Sequence, residues 1–282
     1  MLKSVHHDSA CIPAGIALGC SKFGSIVNGV DLATAEKLVS TALECGVRHF
    51  DSADIYGQGE SERILGNLLR NRRNDVFLAT KVGQRFPTWA KLLRPLKAPL
   101  AALFASGPRG DHLSRLREKP LPRCYRPDYV ARAVKAGLRR IGSDHVDLVY
   151  LHSPSAADLA DGEAVGALER LREAGHVGLV GVSVDDVATA SAALSDARIS
   201  ALQVPYSPGE AKWLNLLAKA GERKVAVVVR SLFSGQGRSL TEEERCAIVA
   251  AASSNPAIES VIVGTSNERH LRQIVSWAPA RV

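Results

Sequence analysis

One apolar stretch of the sequence ends in a carboxylate, and a tyrosine follows five residues later. The segment is HFDSADIYGQGESE, residues 49–62, in which Asp51 closes the apolar stretch and Tyr56 comes after it. A phenol has a pKa of about 10 and is a poor proton donor near neutral pH unless a nearby cation favours the phenolate. Asp51 and Tyr56 therefore imply a third partner that carries positive charge.

Two further apolar stretches lead to ionisable side chains. The stretch DVFLAT is followed by Lys81, and the stretch VDLVYLH ends in His152. If these residues lie together, Lys81 supplies the cation beside Tyr56 and Asp51 neutralises it, since a buried ammonium needs a partner. His152 can then donate a hydrogen bond to a carbonyl oxygen while Tyr56 delivers a proton as general acid. We predict these four residues to be catalytic.

A hydride source is still missing from this set. No amino-acid side chain transfers a hydride, so reduction of a carbonyl group at these residues implies a nicotinamide cofactor, NADPH or NADH. No metal site is predicted. The five cysteines are widely spaced and never form C-x-x-C, which argues against both a zinc site and a disulfide framework.

The predicted secondary-structure elements around these residues repeat along the chain. Eight short apolar stretches alternate with amphipathic helical stretches, which is typical of β-α units around a parallel sheet. Eight such units predict a single (β/α)8 TIM barrel over residues 1–282. An open doubly wound sheet is the alternative, but no G-x-G-x-x-G fingerprint supports it. The predicted strands are residues 15–19, 47–51, 75–80, 146–152, 177–183, 201–204, 224–231 and 259–264.

In such barrels the chemistry lies at the carboxyl ends of the strands. The residues that end or follow the predicted strands are therefore candidates for the site: Asp51, Lys81, His152, Ser183, Gln203, Arg230, Ser231, Gly264 and Thr265. A carboxylate, a lysine and a histidine are unusual endings for apolar strands. His49 has no evident partner in the sequence, and we expect it to be structural.

The motifs in which these residues stand resemble those of the aldo-keto reductase superfamily over almost the whole chain. They are, in order, FDSADIYGQGESE, ATKVG, VDLVYLHSP, GLVGVS, LQVPYSP and VIVGTSNERHL. The resemblance implies an NAD(P)(H)-dependent oxidoreductase that interconverts an aldehyde or ketone with the alcohol. It assigns the catalytic tetrad to Asp51, Tyr56, Lys81 and His152, with Tyr56 the acid for reduction and the base for oxidation.

The resemblance also implies the cofactor-binding residues. Ser183 and Gln203 match positions that bind the nicotinamide carboxamide. Arg230, followed by Ser231, stands where many members have an aromatic residue stacked on the nicotinamide. The segment GTSNERH matches the loop that holds the adenosine phosphates, as expected for anion binding at a helix N-terminus, and its candidate contacts are Gly264, Thr265, Ser266, Asn267 and His270.

The chain departs from the family pattern at several of these positions. Val184 replaces an asparagine that often follows the serine of the fifth strand. Gly264 replaces a lysine often used for the 2′-phosphate of NADPH, and His270 aligns with a frequent arginine. Arg269 and Arg272 remain nearby, so the sequence leaves the choice between NADPH and NADH open.

The net charge of +7 comes from one segment, residues 84–126, which we call the basic insertion. It holds ten lysines and arginines against two acidic residues, so the rest of the chain is close to neutral and gives no support to a nucleic-acid partner. We interpret the insertion as a lid that adds apolar side chains and positive charge to the pocket. A solvated loop and a surface that docks on an acidic protein or an anionic membrane are the alternatives.

The sequence also bears on location and on other functions. Unpaired cysteines favour a reducing cytoplasm, and neither a signal peptide nor a membrane span is expected, because no window reaches about 18 apolar residues. The expected partner is a small carbonyl or alcohol substrate. Two alternatives stay open, an NAD-dependent sugar or alcohol dehydrogenase that works oxidatively and a cofactor-binding, redox-sensing auxiliary subunit.

Overall fold

Eight parallel strands close into a barrel in which each strand pairs with the next along the chain and the last pairs with the first. The structure is a computed structural model that describes residues 11–25, 29–85, 121–206, 210–233 and 240–279. The predicted (β/α)8 barrel is confirmed. The strands are β1 Gly15–Gly19, β2 His49–Asp51, β3 Phe77–Val82, β4 Val146–His152, β5 Val177–Ser183, β6 Ala201–Pro205, β7 Ala226–Arg230 and β8 Ser260–Val263.

Helices alternate with the strands and cover the outside of the barrel. Several begin at a side chain that accepts a hydrogen bond from the first turn, as Asp31, Asp186 and Thr241 do, which is a common way to start a helix. Within the described ranges the helices are α1 Leu32–Glu44, α2 Glu60–Leu69, α3 Pro127–Ile141, α4 Ala156–Leu159, α5 Glu163–Glu173, α6 Val187–Leu194, α7 Ala211–Glu222, α8 Glu242–Ser254 and α9 Glu268–Trp277.

The strand boundaries differ from the prediction where a helix end uses the adjacent residues. The N–H groups of Val47 and Val225 donate to carbonyl oxygens of the preceding helices, at 2.8 and 2.9 Å, so β2 and β7 begin later than the apolar runs do. The third strand continues through Lys81 to Val82, because both residues pair with β4. Lys81 therefore lies within a strand and not after one.

The strands divide the apolar residues into two layers. Outward-facing residues such as Phe50 and Val149 pack with helix residues such as Leu38 and Leu138 in one continuous cluster. Each such fully buried side chain contributes about 1.5–3 kcal/mol, so this outer layer supplies most of the stability. A smaller cluster fills the barrel interior, formed by Ile12, Ala17, Phe77, Ala79, Leu148, Tyr150, Ala201, Val228 and Ile262.

His49 lies in the barrel interior and does have a partner, contrary to the expectation from the sequence. Its Nδ1 is 3.0 Å from the Ser260 hydroxyl of β8, and its ring meets Phe77 edge-on at a centroid distance of 5.1 Å. Complete burial lowers the pKa of His49 from 6.5 to about 4, with Asp51 raising it and Lys81 lowering it as smaller effects. The imidazole is therefore neutral at neutral pH.

The basic insertion is described only at its two ends. Gln84 faces Arg123 in an antiparallel bridge, and the N–H of Arg85 donates to the carbonyl of Pro122 at 2.7 Å. The two ends of the insertion therefore leave the barrel side by side. The lid interpretation concerns residues 86–120, which lie outside the described ranges, and it stays a prediction.

We expect the buried neutral state of His49 to make the protein less stable in weak acid. Below pH 6.5 the unfolded chain takes up a proton that the folded chain binds only near pH 4, so the free energy of unfolding falls as the pH drops through this window, by at most about 1.4 kcal/mol per pH unit for one proton. Urea unfolding of wild type and His49→Gln between pH 7 and 4.5 measures this slope.

In His49→Gln the free energy of unfolding should fall less steeply with falling pH than in wild type. The matched control is His270→Gln, which removes an exposed histidine and should keep the wild-type slope. An identical slope for His49→Gln and wild type would contradict the assignment of a buried neutral imidazole.

Candidate active site

Asp51 and Lys81 form a buried ion pair at the carboxyl end of the barrel. Asp51 ends β2 opposite Ala79 of β3, so Lys81, two residues further along β3, faces the same side of the sheet. The Lys81 ammonium donates to Asp51 Oδ2 at 2.5 Å and to the carbonyl oxygen of Ser52 at 2.8 Å. The two side chains are only 1% and 5% exposed, so each depends on the other for its charge.

Tyr56 reaches this pair from the short loop after β2. One turn of 3-10 helix, Tyr56–Gln58, places the phenol oxygen 3.4 Å from Lys81 Nζ, and Nζ lies 4.9 Å from the ring centre. The turn requires a glycine after the tyrosine. Gly57 has φ of 58°, and a Cβ there would lie 2.7 Å from the carbonyl oxygen of Gly24.

His152 ends β4 and lies beside Tyr56. The two rings meet edge-on, with centroids 5.9 Å apart and an angle of 89° between their planes. Burial and then the positive charges of Lys81, Arg230 and Arg123 lower the pKa of His152 well below 6.5, so the imidazole is neutral. Its Nδ1 has no hydrogen-bond partner among the described residues. A neutral imidazole keeps one N–H that can donate to a substrate oxygen.

Lys81 keeps its charge despite complete burial. Burial alone would lower the pKa of Lys81, but the carboxylate of Asp51 and then the phenol of Tyr56 favour the ammonium more strongly, and the pKa is raised above 10.5. A permanent positive charge therefore stands beside the Tyr56 hydroxyl. A charge in this position stabilises negative charge that develops on the phenol oxygen or on a bound substrate oxygen.

Ser183 and Gln203 connect two more strands to Asp51. The two residues face each other in register on β5 and β6, and the Ser183 hydroxyl donates to Gln203 Oε1 at 2.9 Å. Gln203 Nε2 donates to Asp51 Oδ1 at 2.8 Å. Asp51 thus accepts hydrogen bonds from Lys81 on one oxygen and from Gln203 on the other. Strand endings alone do not predict this direct contact between Gln203 and Asp51. Binding of nicotinamide by Ser183 and Gln203 stays a prediction.

Arg230 at the end of β7 is held against the end of β5. Its Nη2 donates to the carbonyl oxygen of Val184 at 3.0 Å and to Asp185 Oδ1 at 2.5 Å. The guanidinium is therefore fixed in place at the barrel mouth. Ser231 beside it has φ of 62°, in the left-handed region, where the chain turns away from the barrel.

The last loop lies at the end of β8, and its polar groups bond mainly to one another. Asn267 Oδ1 accepts from the N–H groups of Arg269 and His270 at 2.8 and 3.3 Å, and Thr265 Oγ1 accepts from the N–H of Asn267 at 3.1 Å. An anion at the start of α9 must displace the Asn267 side chain or use other donors. Gly264, Ser266 and His270 are exposed, and contacts of this loop with a cofactor stay a prediction.

Two tyrosines that do not end a strand, Tyr125 and Tyr150, also adjoin the site. The Tyr125 hydroxyl donates to the carbonyl oxygen of His152 at 2.6 Å. Tyr150 lies two residues before His152 on β4, fully buried, and its hydroxyl has no hydrogen-bond partner among the described residues. Burial, then the charge of Asp51, raises the pKa of Tyr150 well above 10. Strict alternation along β4 identifies Tyr150 as inward-facing, whereas the contact of Tyr125 needs the fold.

Other kinds of site receive no support from the described ranges. None of their helices is long and apolar enough to cross a membrane. The same residues contain no cluster of three or more histidine, cysteine, aspartate or glutamate side chains that could hold a metal ion.

Comparison with known proteins matches the chain to one family. The model of the Aldo/keto reductase family matches residues 15–256. An aldo-keto reductase from Bacillus halodurans, in its holo form, is 24% identical, with a TM-score of 0.72 over 94% of this chain and 87% of that chain. This structural likeness shows that the two proteins share a fold.

Two proteins are also similar to the chain in sequence. The uncharacterized oxidoreductase YqkF of Bacillus subtilis is 27% identical over 218 residues, which are 76% of this chain and 59% of that protein. An NADP(+) aldo-keto reductase, yakc, of Schizosaccharomyces pombe is 29% identical over 199 residues, 70% of this chain and 50% of that protein. The chain thus spans between half and three fifths of the length of these two relatives.

We expect the charges of Asp51 and Lys81 to be strongly coupled in the stability of the protein. Lys81→Met leaves a buried carboxylate without its cation and should lower the free energy of unfolding by about 3–5 kcal/mol. Adding Asp51→Asn to that variant removes the uncompensated charge, so the double variant should lose less than the sum of the two single losses by about 1–3 kcal/mol. Urea unfolding of the four proteins measures this coupling.

A surface lysine provides the matched control for this cycle. Lys219 is exposed on α7, and Lys219→Met should change the free energy of unfolding by no more than about 0.5 kcal/mol. Strict additivity of the Asp51 and Lys81 losses would contradict the ion pair.

Proposed function

Because the chain belongs to the aldo/keto reductase family, we propose that it is an NAD(P)(H)-dependent oxidoreductase that interconverts an aldehyde or ketone with the alcohol. One observation carries the proposal. The buried Lys81 ammonium contacts both the Asp51 carboxylate, at 2.5 Å, and the Tyr56 phenol oxygen, at 3.4 Å. A structural role does not require a phenol beside a buried ion pair at the active end of a barrel, whereas acid-base catalysis does.

Tyr56 acts as the proton donor in the reductive direction. The Lys81 charge stabilises the phenolate that forms when the proton leaves, and Asp51 keeps that charge in place. In the oxidative direction the same phenolate accepts the proton from the alcohol. The part-buried position of Tyr56 lets a substrate oxygen approach it from the barrel mouth.

His152 orients the substrate. Its neutral imidazole stands edge-on to Tyr56, so both side chains can donate to one carbonyl oxygen. Two donors on one oxygen fix the direction of the carbonyl and stabilise the negative charge that grows on it.

The described residues at the ends of β5 to β8 fit a nicotinamide cofactor. The buried Ser183 hydroxyl donates its one hydrogen to Gln203, so its oxygen is left to accept from a carboxamide N–H, and the planar guanidinium of Arg230 is suited to stacking on a ring. The cofactor, when bound, supplies or accepts the hydride. In the last loop Arg272 is paired with Glu44, which leaves Arg269 and His270 as exposed candidates for an adenosine phosphate.

We expect Tyr56→Phe to lose turnover by about 10²- to 10⁴-fold, because it removes the proton donor and keeps the ring. Steady-state reduction of an aldehyde, followed by cofactor absorbance, measures the loss. Tyr129→Phe is the matched control, since Tyr129 is a tyrosine of the same rim whose ring contacts Arg85. Near wild-type rates in Tyr56→Phe would contradict the proposed mechanism.

Cofactor binding can be tested separately from turnover. Titration of the protein with NADPH and with NADH, followed by fluorescence, should show saturable binding of at least one of them. Tyr56→Phe should bind as wild type does, and Ser183→Ala should bind more weakly because a buried hydroxyl oxygen that can accept from the carboxamide is lost. Absence of saturation with either cofactor would contradict the proposed function.

A further inference from the structure

Arg123 is an exposed cation on a backbone segment that is anchored beside His152. It lies opposite Gln84 in a bridge, and the next residue, Cys124, donates its N–H to the carbonyl of Gly83 at 2.8 Å. Tyr125 then donates to the carbonyl oxygen of His152. The ring of Tyr125 occupies the space at Gly83, where a Cβ would lie 2.3 Å from it and where φ is 121°. These contacts hold the segment at the ends of β3 and β4.

No ion pair within the described ranges includes Arg123. Its guanidinium is therefore available to a ligand that enters the barrel mouth. An arginine in this position binds a carboxylate or a phosphate well, because its N–H groups match two oxygens of the same anion.

Arg230 supplies a second cation from the other side. β7 lies four strands from β3 around the barrel, so the two arginines approach the mouth from opposite sides. Arg230 is held by Val184 and Asp185, and because Asp185 is 56% exposed and Arg230 only 24%, water screens the carboxylate more strongly than the guanidinium.

The positive charges of Arg123 and Arg230 both act on His152. Besides burial, the charges that lower its pKa are those of Lys81, Arg230 and Arg123. Lys81 and Arg230 each pair with a carboxylate at 2.5 Å, Asp51 and Asp185, so Arg123 is the one of these three cations without an ion pair among the described residues. A second negative group on the substrate would be attracted to Arg123.

We propose that Arg123, together with Arg230, makes the site selective for carbonyl compounds that carry a carboxylate or phosphate near the carbonyl group. This inference rests on the proposed function, since it takes His152 as the residue that receives the carbonyl oxygen. The reaction is unchanged, with one hydride to the carbonyl carbon and one proton to its oxygen. Arg123 binds the anionic group and sets the affinity, and it is a specificity residue and not an acid or base.

The test compares two aldehydes that differ only in charge, 4-carboxybenzaldehyde and its methyl ester, methyl 4-formylbenzoate. The quantity measured is the ratio of kcat/KM for the acid to kcat/KM for the ester, in which effects common to both substrates cancel. Wild type should favour the acid. Arg123→Gln should lower the ratio by about fivefold, mainly through KM, as expected for one partly exposed charge-assisted contact.

Asp185→Asn should move the ratio in the other direction. It removes the carboxylate that offsets Arg230, so the ratio should rise by about two- to fivefold, and added salt should reduce both effects. Arg139→Gln is the matched control, since Arg139 is an exposed arginine in the last turn of α3 at the other end of the barrel, and it should keep the wild-type ratio. A general loss of structure cannot produce opposite shifts in two variants.

Three results would overturn the inference. In the first, the protein reduces both aldehydes, but neither Arg123→Gln nor Asp185→Asn changes the ratio. This result would contradict the selectivity and would still agree with the proposed function. In the second, Arg123→Gln keeps the ratio but binds NADPH more weakly in a fluorescence titration. This result would mean that Arg123 binds the cofactor phosphates and not the substrate. No turnover of either aldehyde, with bound cofactor, would contradict the proposed function and this inference with it.

Discussion

The buried ion pair between Asp51 and Lys81 is the interaction on which the rest of the site depends. Neither charge is stable alone inside the barrel, because each is almost completely removed from water. Once paired, the ammonium remains protonated and is directed at the Tyr56 hydroxyl, while Gln203 holds the other oxygen of Asp51. The pair thus places a positive charge beside the Tyr56 hydroxyl. It also joins the carboxyl ends of β2 and β3 through a buried contact.

The closed parallel barrel explains how residues far apart in the sequence meet in this unit. All carboxyl ends point to one mouth, and the register of β4, β5 and β6 aligns His152, Ser183 and Gln203 in one row. The outer layer of helices stabilises the barrel, so the interior can hold polar groups such as His49 and Tyr150 that cost stability. Stability and chemistry are therefore divided between the two faces of the same strands.

The sequence is enough to predict the barrel and the proximity of Asp51, Tyr56, Lys81 and His152, because the rule on strand endings needs only order along the chain; their catalytic roles stay a prediction. It placed Lys81 after its strand, whereas the strand continues past it, since pairing with β4 extends the apolar run. It also could not show the contacts of Gln203 with Asp51, of Arg230 with Asp185 or of Tyr125 with His152. These join strands or loops that are distant in sequence, and they depend on side-chain rotamers and on the closure of the barrel.

The proposed mechanism can be tested by following the hydrogen that is transferred in the reaction. An aldehyde is reduced with the nicotinamide cofactor carrying deuterium at C4, in both stereoisomers, and the alcohol is examined by mass spectrometry and NMR. We expect one stereoisomer to deliver deuterium to the former carbonyl carbon, while the hydroxyl hydrogen comes from solvent through Tyr56. An alcohol without deuterium from either stereoisomer would contradict this mechanism.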